Sequence, residues 1–241
     1  MGRAKPITKE QTDEVISLRG KMTAKQIADT VGVTYYQVGE VFKRHNMTDK
    51  YNRIFDINDL QHQIYLSGKL GDGNYKHNGS NYYYRESHAE DEKQYLMWKM
   101  NALGDMINKG GLYDIKKAGY NVQQLYGFST VTSPSLIKYA EMTILDTISN
   151  LNKYGLIMFM LDDGWFSRSN FMISGGSMND EELNKLCCQF DRYGIHNVHI
   201  VGQKRHDISI PSDYNELLFE IATEIMPTDI DIVQKKFKYI I

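Results

Sequence analysis

The chain has 241 residues, of which 41% are hydrophobic and 24% are charged, and its formal net charge is −2. These proportions are those of an ordinary globular protein that can bury one large core or two modest ones. No apolar run of about 18 residues occurs, which excludes a membrane-spanning helix. No apolar signal-peptide core follows residues 1–6, so we expect a cytoplasmic protein.

Charge is unevenly distributed along the chain. Residues 1–53 contain 10 Lys and Arg against 6 Asp and Glu, whereas the rest of the chain contains 18 against 24. A basic first segment on an acidic body permits contact with nucleic acid without requiring it. Any contact between the body and DNA must therefore depend on local groups of Lys and Arg.

Residues 7–46 predict three short helices, and the first two begin with a Thr followed three residues later by a Gln. That spacing is typical of a capping box. Residues 24–34 resemble the core of a helix-turn-helix DNA-binding motif, with Ala28 packing closely and Gly32 in the turn. The alternative is a three-helix scaffold or a protein-docking module.

In a helix-turn-helix motif the last helix enters the major groove, and its early residues face the bases. Here that helix is predicted over residues 34–44. The resemblance implies that its DNA contacts are Tyr35, Tyr36, Gln37, Lys43 and Arg44. Residues 47–56 are polar and have no clear period, so they are the predicted linker to the rest of the chain.

The remaining chain predicts one order of elements twice: a helix, two strands, a helix, two strands and a helix. The first copy comprises a helix over 60–71, strands 74–77 and 81–87, a helix over 90–108, strands 112–117 and 123–130, and a helix over 133–149. The second copy begins with Asn152 as an N-cap. It comprises a helix to residue 162, strands 165–167 and 170–174, a helix over 179–193, strands 198–203 and 207–210, and a helix over 211–225.

The first helix of each copy is an apolar run that ends in an aspartate followed by glycine. These aspartates are Asp72 and Asp163, and Asp162 precedes the second one. Asp-Gly is also a common turn pair, so helix termination alone explains either occurrence. Two occurrences in register within a duplicated unit favour a pair of carboxylates of the kind that binds divalent metal and cuts phosphodiesters.

With these motifs the chain resembles the LAGLIDADG homing endonucleases in their single-chain, two-repeat form. Further support comes from residues 86–88 (Glu-Ser-His), which lead into the helix that contains Tyr95 and Trp98. The resemblance covers roughly residues 58–237. It implies an α+β fold, in which a three-helix helix-turn-helix module precedes a pseudo-twofold duplicated αββαββα core with two four-stranded antiparallel DNA-binding sheets. The predicted units are residues 1–46, the linker 47–56, a first repeat at 57–152 and a second repeat at 153–241.

The resemblance also implies that the two motif helices pack against each other at the pseudo-twofold axis. Small residues permit close approach, and Ser67 and Gly71 provide them on the first helix. The second helix offers Gly155 but has bulky side chains at residues 157–159. That departure from the family pattern predicts looser or differently phased packing.

The two aspartates are implied to be the catalytic metal ligands of the site. Asp72 and Asp163 would hold Mg²⁺ with Gly71 and Asp162 beside it, and Mn²⁺ or Ca²⁺ would substitute for binding. For Asp162 a structural role is the alternative. Helix carboxyl ends carry partial negative charge, so two carboxylates placed there favour a hard cation.

Basic residues complete the predicted site and the DNA-binding surface. Lys235 or Lys236 resembles the basic residue that the family places near the acids for charge stabilisation. The sheets are expected to form a saddle over the major groove, with alternate side chains facing bases. Because the facing of each strand is open, about half of the candidates point away. The candidates are Lys76, Arg85, Lys116, Lys117, Gln123, Arg168, Lys204 and Arg205.

We therefore predict a site-specific, Mg²⁺-dependent DNA endonuclease of the kind carried by mobile genetic elements. It would act on double-stranded DNA as a monomer, with each repeat cutting one strand. Two alternatives use the same fold: a DNA-binding transcriptional regulator that does not cleave, and a maturase that assists the splicing of intron RNA. The presence of both acids favours the nuclease, because a pure binder gains from removing anionic charge near phosphates.

Overall fold

A computed structural model of the chain describes residues 6–19, 22, 24–45, 53–78, 81–115, 124–202 and 206–238. The first part contains three helices, namely α1 (Lys9–Leu18), α2 (Ala24–Val31) and α3 (Tyr35–Arg44). Their boundaries follow the pattern of caps and apolar residues that the sequence contains.

Capping boxes begin α1 and α3. The hydroxyl of Thr8 accepts a hydrogen bond from the backbone N–H of Gln11 at 3.2 Å, and Thr34 accepts one from Gln37 at 3.2 Å. Each Gln side chain in turn accepts a hydrogen bond from the backbone N–H of its Thr. This reciprocal arrangement satisfies two backbone donors at each helix start. Thr23, the predicted start of α2, lies outside the described residues.

The three helices share a small core of their own. Gly32 has a φ of +69° in the turn between α2 and α3, a backbone conformation that glycine adopts without steric cost. The turn is closed by a 3.0 Å hydrogen bond from the backbone N–H of Val33 to the carbonyl of Ala28. The buried residues are Val15, Ile27, Ala28, Val31, Val38, Val41 and Phe42.

The body begins with a capped helix, because the side chain of Asn58 accepts a hydrogen bond from the backbone N–H of Gln61 at 3.0 Å. Residues 116–123, which include parts of two predicted strands, lie outside the described residues. The elements of the first half are α4 (Asp59–Leu70), β1 (Gly73–Asn78), β2 (Asn81–Ala89), α5 (Lys93–Leu103), β3 (Tyr113–Ile115), β4 (Leu125–Ser129), α6 (Ile137–Glu141) and α7 (Ile144–Asn150).

The second half repeats this order after Asn152, which caps its first helix as the sequence predicts. Asn179 likewise caps the next helix in a capping box. The elements are α8 (Lys153–Asp163), β5 (Gly164–Ser167), β6 (Asn170–Ser174), α9 (Asp180–Arg192), β7 (His199–Val201), β8 (Asp207–Ile210), α10 (Asn215–Ile225) and α11 (Asp231–Phe237).

The two halves build two antiparallel sheets with the same strand order. The first sheet is β1-β2-β4-β3 and the second is β5-β6-β8-β7. Identical orders in sheets of separate sequence confirm the predicted duplication. Helices α4 and α8 pack against each other, and a continuous apolar core surrounds them. Among the described helices, none has the length and apolar character needed to cross a bilayer.

Two predicted helices are shorter or divided. The predicted helix over residues 133–149 breaks at Thr143, which has extended backbone (φ −68°, ψ 161°). Its hydroxyl accepts a hydrogen bond from the backbone N–H of Asp146 at 3.0 Å, so Thr143 caps a new helix instead of continuing the old one. The predicted helix over residues 90–108 ends at Leu103, because Gly104 takes a left-handed φ of +53°.

The last helix, α11, was not predicted from the sequence. It is only seven residues long, which gives periodicity little opportunity to show. Its residues Ile232, Val233 and Phe237 are buried in the core of the body. The helix carries Lys235 and Lys236 in its last turn, so both predicted basic residues sit on a fixed element.

Candidate metal centre at the helix seam

Helices α4 and α8 approach closely at a glycine. A Cβ atom on Gly155 of α8 would lie 2.2 Å from Oε1 of Gln63 on α4. That oxygen accepts a hydrogen bond from the backbone N–H of Asn152 at 2.9 Å, and Nε2 of Gln63 donates to the carbonyl of Asn150 at 3.2 Å. Gln63 therefore joins α4 to the start of α8, and glycine at position 155 leaves room for it.

The bulky residues of α8 do not loosen this contact. Residues 157–159 are each at most 1% exposed, so they pack fully into the core on both sides of the helix. The looser packing expected from the sequence is therefore absent, because α8 is surrounded by apolar side chains from both halves.

The carboxyl ends of the same two helices bring the acids together. Gly71 caps α4, and Asp163 is the last residue of α8. A Cβ atom on Gly71 would lie 2.9 Å from Cβ of Asp162 and 3.1 Å from Oδ2 of Asp163. Asp72 follows Gly71 directly, and its side chain is 39% exposed. The structure thus gathers all four residues at which the sequence predicts the metal.

Both predicted ligand carboxyls have raised pKa values. Burial and the neighbouring charge of Asp72 raise the pKa of Asp163 to about 6. Burial also raises the pKa of Asp72, although His88 and Lys99 oppose that shift. Within the described part of the chain, the carboxylate of Asp163 receives no side-chain hydrogen bond. Two crowded carboxylates disfavour each other's charge, and a bound cation removes that penalty.

A fully buried lysine lies next to the acids. Nζ of Lys99 on α5 donates to Oε1 of Glu86 at 2.5 Å and to Oδ1 and Oδ2 of Asp162 at 2.8 and 3.0 Å. It also lies 4.4 Å from the ring centre of Tyr95. Burial disfavours the ammonium, but Asp162 and Glu86 outweigh burial and raise the pKa of Lys99. Lys99 is therefore charged and fixes Asp162 in place.

His88 is a second buried cation at the site. Its Nε2 lies 2.8 Å from Glu86, and its Nδ1 lies 3.1 Å from Glu92 and 3.5 Å from Oδ2 of Asp72. Burial opposes its charge, but the hydrogen bonds to Glu86 and Glu92 raise the pKa of His88 to about 10. An imidazolium donates through both nitrogens and has no lone pair for a metal.

These states decide which residues suit a divalent cation. Ligand atoms of Asp72, His88 and Asp162 lie within 4.8 Å of one another, close enough for one cation. His88 is protonated, however, and both oxygens of Asp162 contact Lys99. Asp72 and Asp163 remain as the carboxylates with capacity to bind. Two carboxylates fit Mg²⁺, which takes oxygen ligands and retains several waters.

The two predicted lysines have different partners. Nζ of Lys236 donates to the backbone carbonyl of the residue after Asp163, and its charge lowers the pKa of that aspartate. Burial lowers the pKa of Lys236 itself. Lys235 instead forms exposed ion pairs with Asp91 and Glu92, at 2.9 and 2.8 Å. Lys236 is therefore the lysine beside the acids.

The predicted DNA contacts on the sheets divide into two groups. Tyr75 donates a hydrogen bond to the carbonyl of Tyr65 in α4 and so faces inward, which turns its neighbour Lys76 outward. Arg85 lies between two buried residues and is exposed, and Arg168 is exposed in the turn between β5 and β6. The second group lies outside the described residues and comprises Lys116, Lys117, Gln123, Lys204 and Arg205.

On α3 the predicted contacts are mostly accessible. Tyr35 and Tyr36 are 67% and 75% exposed, and Lys43 and Arg44 are exposed at the end of the helix. Gln37 has a structural role, because its side chain belongs to the capping box at the start of α3.

The roles of Lys99, Glu86 and Glu92 were not predicted from the sequence. One signal was present for Lys99. The buried residues of α5 are Tyr95, Leu96, Lys99 and Leu103, so the lysine occupies a place on an apolar helix face. A charged residue on such a face indicates a buried partner of opposite charge. The sequence alone does not identify that partner.

Together, the paired motif helices and the two matching sheets define the fold of the LAGLIDADG homing endonucleases. Among solved structures, the chain is similar to the homing endonuclease I-WcaI bound to its DNA recognition sequence. The TM-score is 0.63 at 16% identity, and the match covers 89% of this chain and 97% of that chain. At this identity the likeness establishes the fold.

Two further structures match with lower scores. I-DmoI in complex with DNA and Mn has a TM-score of 0.45 at 15% identity, covering 70% of this chain and 100% of that chain. The N-terminal LAGLIDADG domain of DUF199/WhiA has a TM-score of 0.41 at 11% identity, covering 70% of this chain and 86% of that chain. No protein-family model matches the sequence, and neither does any curated protein.

Proposed function

We propose that this protein is a site-specific, Mg²⁺-dependent endonuclease that cuts both strands of a DNA duplex. The observation that supports it most is the meeting of Asp72 and Asp163 at the carboxyl ends of two packed helices. The duplex as substrate is supported by the fold, which is shared with a homing endonuclease bound to its DNA recognition sequence.

Each residue of the site would have a separate part in the chemistry. Asp72 and Asp163 hold the cation, and Lys236 balances charge beside Asp163. When bound, Mg²⁺ supplies a more acidic water and stabilises charge on the phosphate and the leaving oxygen. Lys99 and His88 keep the surrounding carboxylates paired, so that the two ligand carboxylates stay in position.

The outward faces of the two sheets would bind the duplex. The described part of the first sheet presents Lys76 and Arg85 on that face, and both lie in the same half as Asp72. Because each half has its own sheet and its own aspartate, a single chain acts as a pseudo-dimer on the two strands. The protein is accordingly proposed to work as a monomer.

The three amino-terminal helices would lengthen the contact with DNA. Tyr35 and Tyr36 are exposed near the start of α3, where a recognition helix contacts bases, and Lys43 and Arg44 suit phosphates. Replacing Lys43 and Arg44 by Ala should weaken duplex binding and reduce its salt dependence by about two phosphate contacts. Cleavage at saturating protein should be unchanged.

The nuclease proposal is tested by incubating the protein and Mg²⁺ with DNA that carries the sequences flanking its own gene. We expect a double-strand break at one position. Asp72→Asn and Asp163→Asn should each slow cleavage by about a thousandfold, since metal stabilisation contributes several kcal/mol, while duplex binding persists. Asp229→Asn, at an exposed acid far from the helix seam in sequence, is the matched control and should cleave normally.

Other outcomes would replace the proposal. Duplex binding without cleavage at any divalent metal would assign the protein to the DNA-binding regulators. Tight binding of intron RNA, together with splicing that requires the protein, would assign it to the maturases. Cleavage that survives in both aspartate variants would remove the proposed metal centre.

A further inference from the structure

The two sheets present different side chains on their outward faces. In the second sheet the ring centres of Phe166 and Phe171 lie 4.9 Å apart, and both rings contact Phe237 in the core. These two residues therefore face inward. Strand side chains alternate between the faces, so their neighbours Trp165 and Met172 face outward.

Trp165 and Met172 begin a row across the second sheet. The register pairs Trp165 with Met172, Met172 with Ser209 and Ser209 with His199; these four residues are called the Trp165 row. Trp165 is 40% exposed despite its size. No Lys or Arg occurs in the described strands β5 to β8, so the row carries no fixed positive charge.

The corresponding row of the first sheet is polar. Asn74 pairs with Arg85, and Arg85 pairs with Ser129. Arg85 is exposed, and the cleft beside Asp72 is lined by both Asn74 and Arg85. The two halves thus carry hydrogen-bonding groups on one side of the molecule and apolar groups on the other.

Both rows lie beside the acids. Asn74 and Trp165 each follow the aspartate of their own half by two residues. Two residues of a strand span about 7 Å. The rows are therefore placed to contact the base pairs on either side of the scissile phosphates.

Base edges in the major groove differ in what they offer to such rows. Thymine alone carries an apolar group there, its C5 methyl, whereas guanine and adenine offer hydrogen-bonding pairs that suit Arg and Asn. Trp and Met side chains gain little from phosphates or from polar base edges. An apolar row in contact with a duplex therefore favours thymine.

We propose that Trp165 and Met172 recognise thymine methyl groups on one side of the cleavage site, while Arg85 and Asn74 recognise purines on the other side. This specificity rests on the proposed endonuclease function. It makes the target asymmetric, with the half bound by the second sheet rich in A·T pairs.

The first test selects bound duplexes from a randomised library, with Ca²⁺ in place of Mg²⁺ to favour binding over cutting. We expect the wild-type protein to enrich an asymmetric sequence with thymines in one half. Trp165→Ala should lose the preference in that half alone, and Arg85→Ala should change the other half alone. Comparing the two variants orients the site without knowledge of the target.

The second test replaces thymine by uracil, which removes only the C5 methyl. In the half affected by Trp165→Ala, each contacted methyl should contribute about fourfold to affinity, because burying one methyl is worth about 0.8 kcal/mol. The same replacement in the other half should have no such effect. Trp165→Ala should be insensitive to the replacement, whereas the matched outward variant Ser167→Ala should behave like wild type.

Three results would overturn the inference. Equal sensitivity to uracil in both halves, or sensitivity that persists in Trp165→Ala, removes the thymine assignment while leaving duplex binding intact. A change in oligomeric mass in Trp165→Ala, with unaltered base preference, assigns the row to contacts between proteins. Failure of the folded wild-type chain to retain any duplex removes both this inference and the proposed function.

Discussion

Lys99 and Asp162 join the two halves of the body through a buried ion pair. Nζ of Lys99, on the second helix of the first half, lies 2.8 and 3.0 Å from the two oxygens of Asp162, on the first helix of the second half. Both side chains are fully buried, and Glu86 shares the same ammonium. The pair therefore fixes the relative position of α5 and α8 next to the candidate metal ligands.

Replacing Lys99 by Met should strongly destabilise the protein. The change leaves Asp162 and Glu86 buried without their shared cation, and breaking a buried pair in this way typically costs about 3–5 kcal/mol. Chemical denaturation followed by circular dichroism measures the effect. Lys185→Met, at an exposed site on α9, should change stability by less than about 0.5 kcal/mol. Equal stabilities for the two variants would show that the buried pair contributes nothing.

Replacing Gly155 by Ala should loosen the packing of α4 against α8. The new Cβ would lie 2.2 Å from Oε1 of Gln63 and 2.7 Å from a methyl of Leu151, so the hydrogen bonds of Gln63 must shift. Overpacking of this kind costs about 1–3 kcal/mol. Gly110→Ala is the control, because a Cβ there meets nothing within 4 Å. An unaltered denaturation midpoint for Gly155→Ala would contradict the close approach.

Metal affinity should depend on pH through Asp163. Its pKa is raised to about 6 by burial and by the charge of Asp72, and a cation binds only the ionised carboxylate. Below about pH 6 each bound cation must displace a proton, so affinity for Ca²⁺ should fall at least about tenfold per pH unit. Affinity should level off above that pH. Calorimetric titrations at several pH values measure this dependence.

Asp163→Asn is the control for this pH dependence. The variant has no carboxyl at that position to titrate, so its weaker binding should vary less steeply with pH. A wild-type affinity that stays constant between about pH 5 and 7 would exclude Asp163 as a ligand.

The two carboxyl-terminal lysines should differ in their effect on the site. The charge of Lys236 lowers the pKa of Asp163, so Lys236→Met should raise that pKa further and move the onset of metal binding to higher pH. Cleavage at neutral pH should slow accordingly. Lys235→Met removes exposed ion pairs with Asp91 and Glu92, and should change stability by no more than about 1 kcal/mol. Identical pH profiles for both variants would contradict this difference.

Much of the architecture was readable from local sequence because it is locally determined. Asn152 and Asn179 cap their helices through side-chain contacts with residues two or three positions on. The acids Asp72 and Asp163 end helices in the same sequence context, so duplication alone indicated that they meet. The break at Thr143 is also local, but a Thr inside an apolar pattern gives the same signal whether it caps a helix or lies within one.

The charge state of the site was beyond sequence reasoning. Lys99 meets Asp162, which is 63 residues away, and that contact depends on how α5 and α8 pack. His88 is protonated because Glu86 and Glu92 surround it. Three-dimensional proximity, and not spacing along the chain, sets these properties.

The residue before each aspartate makes the two halves unequal. Gly71 precedes Asp72, whereas Asp162 precedes Asp163, and only the second arrangement gives Lys99 its partner. A homodimer assembled from two copies of the first half would place a buried ammonium opposite glycine at both junctions. Gene fusion of such halves, followed by this divergence, is therefore difficult to reverse, since neither half retains the complement it would need in a copy of itself.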